Sequence, residues 1–295
     1  MGKKLKSKKR IEVNGGALNY YEVGTGIPVV FVQGIWVSCR IWDDTVDNLA
    51  INARTYQVEW PIGGHRESLK NADLSPHGVA ALVLEFIERL DLTNVILVGN
   101  DSGGAICQLA VTADNPAVDR IAGLLLTNVD CYEKFPPKEM IPLRDLCISN
   151  PSEANNVFAS LLKGPEGVTQ FMKTVCSKTI PLDQAMALLA NVNEIEQSRA
   201  DSVTFIAGAD SQTTTLQAVS RFANLTYPVT IVWGDGDEVF PISDGEKLAR
   251  DFPNATLVRL EGLKTFIPLE DPKALAKALN ELIQQVSIPA PAINK

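Results

Sequence analysis

The chain holds two histidines, His65 and His77, among 295 residues. Histidine is the side chain whose ordinary pKa suits proton transfer near neutrality, so base chemistry has few possible sources here. The five cysteines, Cys39, Cys107, Cys131, Cys147 and Cys176, are odd in number and form no CxxC pair. That excludes a disulfide-stapled scaffold or a cysteine zinc site, and points to reduced thiols in a cytoplasmic protein. No apolar run reaches the roughly 18 residues that a bilayer span needs. There is no phosphate-cradling glycine loop and no His/Cys cluster, so neither a cofactor nor a metal is expected. Repeats and low-complexity segments are also lacking.

Basic residues are scarce outside the N-terminus. MGKKLKSKKR carries six Lys or Arg, whereas the other 285 residues carry 21 against 35 acids, within a net charge of −8. An acidic body repels nucleic acid and anionic membranes. Residues 1–10 read as a solvated basic tail, with an anchor or address as the other reading. They lack the apolar segment of a signal peptide, and Lys6 stands where an acylation motif needs Ser or Thr. The expected partner is a small organic molecule, with a homodimer left open.

What is present is an alternation of strand-like and helical stretches. Strands are predicted at 18–23, 28–33, 55–60, 94–98, 121–127, 229–233 and 255–260. Helices are predicted after Ser75-Pro76, at 104–113 and at 272–286. The runs at 94–98 and 121–127 are short and wholly apolar, as in strands buried on both faces. This implies a mostly parallel α/β sheet with helices on both faces. Between about 131 and 224 the rhythm breaks into helical, proline-punctuated sequence. That stretch is read as an inserted helical cap on a core of 11–130 and 225–287, with 288–295 as a loose tail.

The most informative segment is Val95-Ile96-Leu97-Val98-Gly99-Asn100-Asp101-Ser102-Gly103-Gly104. A buried strand runs into Gly-x-Asp-x-Gly and then a helix, the pattern of a nucleophile elbow with Asp in the central place. The tight turn leaves no room for neighbouring side chains and pushes the central residue into a cleft. The following helix N-terminus favours negative charge there.

Outside the tail, nearly the whole chain resembles the α/β-hydrolase superfamily, in particular its epoxide hydrolase and haloalkane dehalogenase branch. Phe31-Val32-Gln33-Gly34-Ile35-Trp36 is similar to the oxyanion strand end, where the family has His-Gly. Pro61-Ile62-Gly63-Gly64-His65 and Ala72-Asp73-Leu74-Ser75 match two further segments. Trp233-Gly234-Asp235-Gly236-Asp237 resembles the acid loop, and Thr265-Phe266-Ile267-Pro268-Leu269-Glu270 the loop of the catalytic histidine. The resemblance implies an α/β-hydrolase fold with Asp101 and Asp237 as catalytic carboxylates. It further implies an oxyanion hole from the backbone amides of Ile35 and Ser102.

Two places depart from the pattern. Thr265 stands where the histidine belongs, and Gln33 replaces the oxyanion-strand histidine. The cap tyrosines of an epoxide hydrolase are missing from 133–224, leaving only Tyr132 at the entry. The halide-gripping Trp after a dehalogenase nucleophile is Ser102. In the Asp-nucleophile mechanism the carboxylate forms an ester that a His–Asp pair then hydrolyses, and threonine is no base near neutral pH. The favoured reading is therefore non-hydrolytic acid/base chemistry by Asp101 on a carbonyl-containing substrate. Cyclisation, conjugate addition or other C–C bond formation, as in secondary metabolism, are the reactions in view, with the enolate held by the two amides. Gln33, Trp36, Tyr132, Phe240, Thr265 and Phe266 are the candidate substrate contacts, although packing also explains Trp36, Phe240 and Phe266. Asp130 ends another core strand; it either shares a proton with Asp101 or caps a loop. The competing readings are an Asp-nucleophile hydrolase with a substitute base, and a ligand-binding pseudoenzyme.

Overall fold

A computed structural model describes residues 7–50 and 52–287. Eight strands form one sheet: β1 Ser7–Val13, β2 Gly16–Gly24, β3 Ile27–Val32, β4 Ala53–Val58, β5 Val95–Asp101, β6 Ile121–Val129, β7 Val229–Gly234 and β8 Ala255–Leu260. Their order is β1-β2-β4-β3-β5-β6-β7-β8. The β1–β2 and β2–β4 pairs are antiparallel, and every pair from β4 to β8 is parallel. The central strands β5, β6 and β7 are buried almost throughout. Their continuous apolar runs are what a sheet covered on both faces requires.

The seven predicted strands are present, and an eighth precedes them. Ser7 to Arg10, assigned to the tail, begin β1 and pair with β2 in register from Ser7↔Glu22. The alternation signal fails there because β1 is an edge strand with exposed positions on both faces. Its lysine and arginine heads find acids, Lys9 on Glu22 and Arg10 on Glu67. Residues 1–6 of the tail and 288–295 lie outside the described residues.

The helix Pro76–Arg89 starts as its sequence dictates. The Ser75 hydroxyl accepts from the Gly78 amide at 3.2 Å, Pro76 fills the first turn, and Val79, Leu82, Val83, Phe86 and Ile87 are buried. Between β6 and β7 the chain makes seven α-helices and no strand, from Ile141–Ser149 to Thr215–Val219. All five cysteines are buried, and none of them is in a disulfide. No helix among the described residues is long and apolar enough to cross a membrane.

Candidate active site

The site begins where β5 ends. Asp101 has φ 55° and ψ −134°, a backbone that L-residues avoid. The helix Ser102–Val111 starts at the next residue. The turn demands glycine at Gly103, where a Cβ would lie 2.1 Å from the Val32 carbonyl oxygen. Gly34 is demanded from the opposite side, because a Cβ there would lie 2.1 Å from Asp101 Oδ2. Other positive-φ residues stand beside the elbow, Trp36 after β3, Asn128 in β6 and Tyr132 just beyond it. Strained backbone of this kind gathers where the surrounding fold over-determines geometry, commonly at functional sites.

Asp101 and Ser102 open onto a cavity of about 370 Å³. Asp130, Thr265, Trp36 and Phe240 line it too, together with residues of the helical segment such as Phe171 and Phe205. The walls are mainly apolar, and no Lys, Arg or His is among the lining residues. Burial pushes the Asp101 carboxyl up to about 7; the nearby Ser102 amide pulls it down and the charge of Asp237 raises it. Asp130, 2% exposed, is raised well above the usual carboxylate range by burial and then by the neighbouring Asp101, against a hydrogen bond from Ser102.

Asp237 is held by four donors. Its Oδ1 accepts the amides of Val239 at 2.9 Å and Phe240 at 3.1 Å. Its Oδ2 accepts Asn128 Nδ2 and Thr265 Oγ1, each at 2.8 Å. Burial still lifts its carboxyl, because the hydrogen bonds offset that only in part. Asn100, at the variable position of the elbow, donates to the carbonyls of Thr127 and Thr265 at 2.7 Å each, tying the Thr265 loop to β5 and β6. Neither Asn100 nor Asn128 stood out in the sequence. A polar residue inside an apolar strand end was the only signal.

Both histidines are engaged elsewhere. His65 Nε2 lies 2.8 Å from Asp201 Oδ2 and its Nδ1 accepts the Gly63 amide at 3.3 Å, pinning a core loop to the helical segment. Burial alone would raise the Asp201 carboxyl; hydrogen bonds from His65, Gln197 and Ser68 outweigh it and hold the group low. His77 Nε2 donates to the Thr213 carbonyl at 2.8 Å.

The structure brings Asp101, Ser102, Ile35, Trp36, Phe240 and Thr265 to the cavity, and Asp237 touches it through Thr265. Three expected substrate contacts fall outside the lining. Gln33 is buried, with its amide donating to the Val58 carbonyl at 3.2 Å, so its side chain crosses to β4. The positive-φ turn at Tyr132 sends its hydroxyl to Asp251 at 2.8 Å, under Lys247. Phe266 is fully buried against Phe171 and supports the wall from behind.

A carboxylate on a strained strand-to-helix turn at the end of a parallel sheet, facing a cavity walled by inserted helices, defines an enzyme scaffold of the doubly covered α/β class. The chain belongs to the alpha/beta hydrolase family, whose model matches residues 29–278. A putative esterase/lipase of Haemophilus influenzae is 20% identical over 266 residues, 87% of this chain and 83% of that protein. Haloalkane dehalogenase 2 of Mycobacterium tuberculosis is 24% identical over 276 residues, 90% of this chain and 91% of that protein. The crystal structure of an α/β hydrolase fold protein from Burkholderia ambifaria superposes with a TM-score of 0.79 at 20% identity, covering 94% of this chain and 98% of that one.

Proposed function

We propose that this chain is a small-molecule enzyme in which Asp101 moves a proton and forms no ester, on an uncharged organic substrate bearing a carbonyl group. The observation that carries the reading is the Thr265 hydroxyl on Asp237 at 2.8 Å, where the family resemblance implies a water-activating imidazole. An alkyl ester on Asp101 would have no histidine to release it, since His65 and His77 are bound to Asp201 and Thr213. A carboxyl lifted to about 7 is half ionised near neutrality, the condition for acid/base work. A wall without Lys, Arg or His disfavours an anionic substrate. Removal of a proton beside a carbonyl, followed by isomerisation, conjugate addition or cyclisation, needs these elements and no activated water. The seven helices between β6 and β7 act as the cap.

A second reading is favoured by the relatives, which are named as an esterase/lipase and a haloalkane dehalogenase. Asp101 at the head of the elbow, facing the cavity, is also where a nucleophilic carboxylate would sit. In that case another group must hydrolyse the ester.

The test is incubation with cyclic and aryl ketones in D2O, and separately with 1-bromobutane and styrene oxide in H2(18)O. Deuterium uptake by a ketone, an unchanged protein mass and a ~10²–10⁴-fold loss in Asp101→Asn are expected. An adduct on Asp101 would establish it as a nucleophile, and sustained release of bromide or diol would establish hydrolysis, in its place.

A further inference from the structure

The substrate oxygen presents an unsolved problem at this site. When a proton leaves carbon beside a carbonyl, negative charge develops on that oxygen and must be stabilised. No cationic side chain lines the cavity to meet that charge. Asp130 faces the same space from the end of β6. Its Oδ1 is buried and has no hydrogen-bond partner among the described residues. The backbone keeps it near Asp101: its amide lies 3.4 Å from the Asp101 carbonyl oxygen, and its own carbonyl accepts Gln108 Nε2 at 2.8 Å. An unpartnered polar atom in an apolar enclosure is costly unless a ligand satisfies it.

We propose that Asp130 is a second catalytic carboxyl of this site, giving its proton to the substrate oxygen while Asp101 takes one from carbon. The inference rests on the proton-transfer reading of Asp101. The charged and titratable groups around Asp130 are consistent with it. Asp101 and Ser102 face it from the elbow, Asp237 lies beyond Asp101, and the Cys131 thiol follows it in the chain. Glu139 lines the cavity from the helical segment, and Asp244 is neutralised by Lys134 at 2.6 Å. All the uncompensated charge is therefore acidic, and two carboxyls on one small apolar cavity share protons more readily than they both ionise. Burial and the Asp101 charge both favour the protonated form of Asp130.

The step balances. Asp101, as carboxylate, takes the proton from carbon, and the C–H electron pair becomes the enol double bond. The carbonyl π pair takes the Asp130 proton, leaving a neutral enol, Asp101 as acid and Asp130 as carboxylate. Return of the Asp101 proton to the same or a conjugated carbon, with the enol O–H proton passing to Asp130, restores the starting state. The pair carries one proton throughout.

The experiment is 13C NMR of the full chain labelled at the aspartate carboxyl carbons, titrated from pH 4 to 10 and assigned with Asp101→Asn and Asp130→Asn. Asp130 is expected to remain protonated at pH 7 while Asp101 is partly ionised, and to ionise at lower pH in Asp101→Asn. The ketone exchange assay adds a pH profile whose alkaline fall disappears in Asp130→Asn. An ionised Asp130 at pH 7, a midpoint indifferent to Asp101→Asn, or an alkaline fall that survives Asp130→Asn would each overturn the proposal. Absence of exchange in the unsubstituted protein, with the two carboxyls titrating as stated, would instead sink the proton-transfer reading of Asp101.

Discussion

Replacing Asp101 with Asn should make the protein more stable at pH 8, and hardly change it at pH 4. Burial lifts the Asp101 carboxyl from its ordinary 3.8 to about 7. A tenfold change in proton affinity corresponds to about 1.4 kcal/mol, so keeping this group charged costs the fold about 4 kcal/mol as a ceiling. The sign follows from proton counting. The folded state binds the proton more tightly than the unfolded chain, so its advantage is fully present below pH 3.8. It declines as pH rises towards 7 and is gone above that. Asn carries no charge at any of these values and keeps the shape. The variant should gain up to about 4 kcal/mol at pH 8, the gain fading as pH falls through the interval. For 295 residues the unfolding entropy is ~0.6 kcal/mol/K, so the gain is about 6 °C in Tm. Thermal scans of both proteins at half-unit pH steps measure it. Parallel curves would mean that Asp101 titrates as an exposed carboxylate, and its desolvation would be refuted. A gain in stability with loss of function is the usual mark of a residue held under electrostatic stress.

Three further outcomes follow from named contacts. Thr265→Val removes one of four donors to the buried Asp237 carboxylate and should cost about 1–3 kcal/mol in urea unfolding; no change would mean that Asp237 is satisfied by Asn128 and the loop amides alone. Thr265→His sets an imidazole beside Asp237 and should not speed ketone exchange, as read by deuterium uptake; a faster exchange would mean that an imidazole at 265 can take over the proton transfer. His65→Ala takes the partner from a buried Asp201 and should cost about 3–5 kcal/mol, with ketone exchange per folded molecule unchanged; a selective loss of that exchange would place His65 in the chemistry.

Composition and periodicity by themselves determined the sheet, the elbow and the insertion. The apolar runs of β5, β6 and β7 could be read because strands buried on both faces need no polar alternation. Asp101 could be placed because the turn around it tolerates only glycine at close quarters, a steric demand written directly in local sequence. β1 escaped notice because an edge strand with exposed faces carries no hydrophobic period. The site divided in the same way. Thr265 and Asp237 stand on separate loops, and only folding sets the hydroxyl 2.8 Å from the carboxylate. Tertiary structure alone turned Gln33 to Val58 and Tyr132 to Asp251, away from the cavity lining. It also brought Asp130 to the cavity with an unpartnered oxygen. Residue type and spacing report what the backbone can do locally; which polar atoms find partners depends on atoms far apart in the chain, and that is settled only when the sheet is assembled.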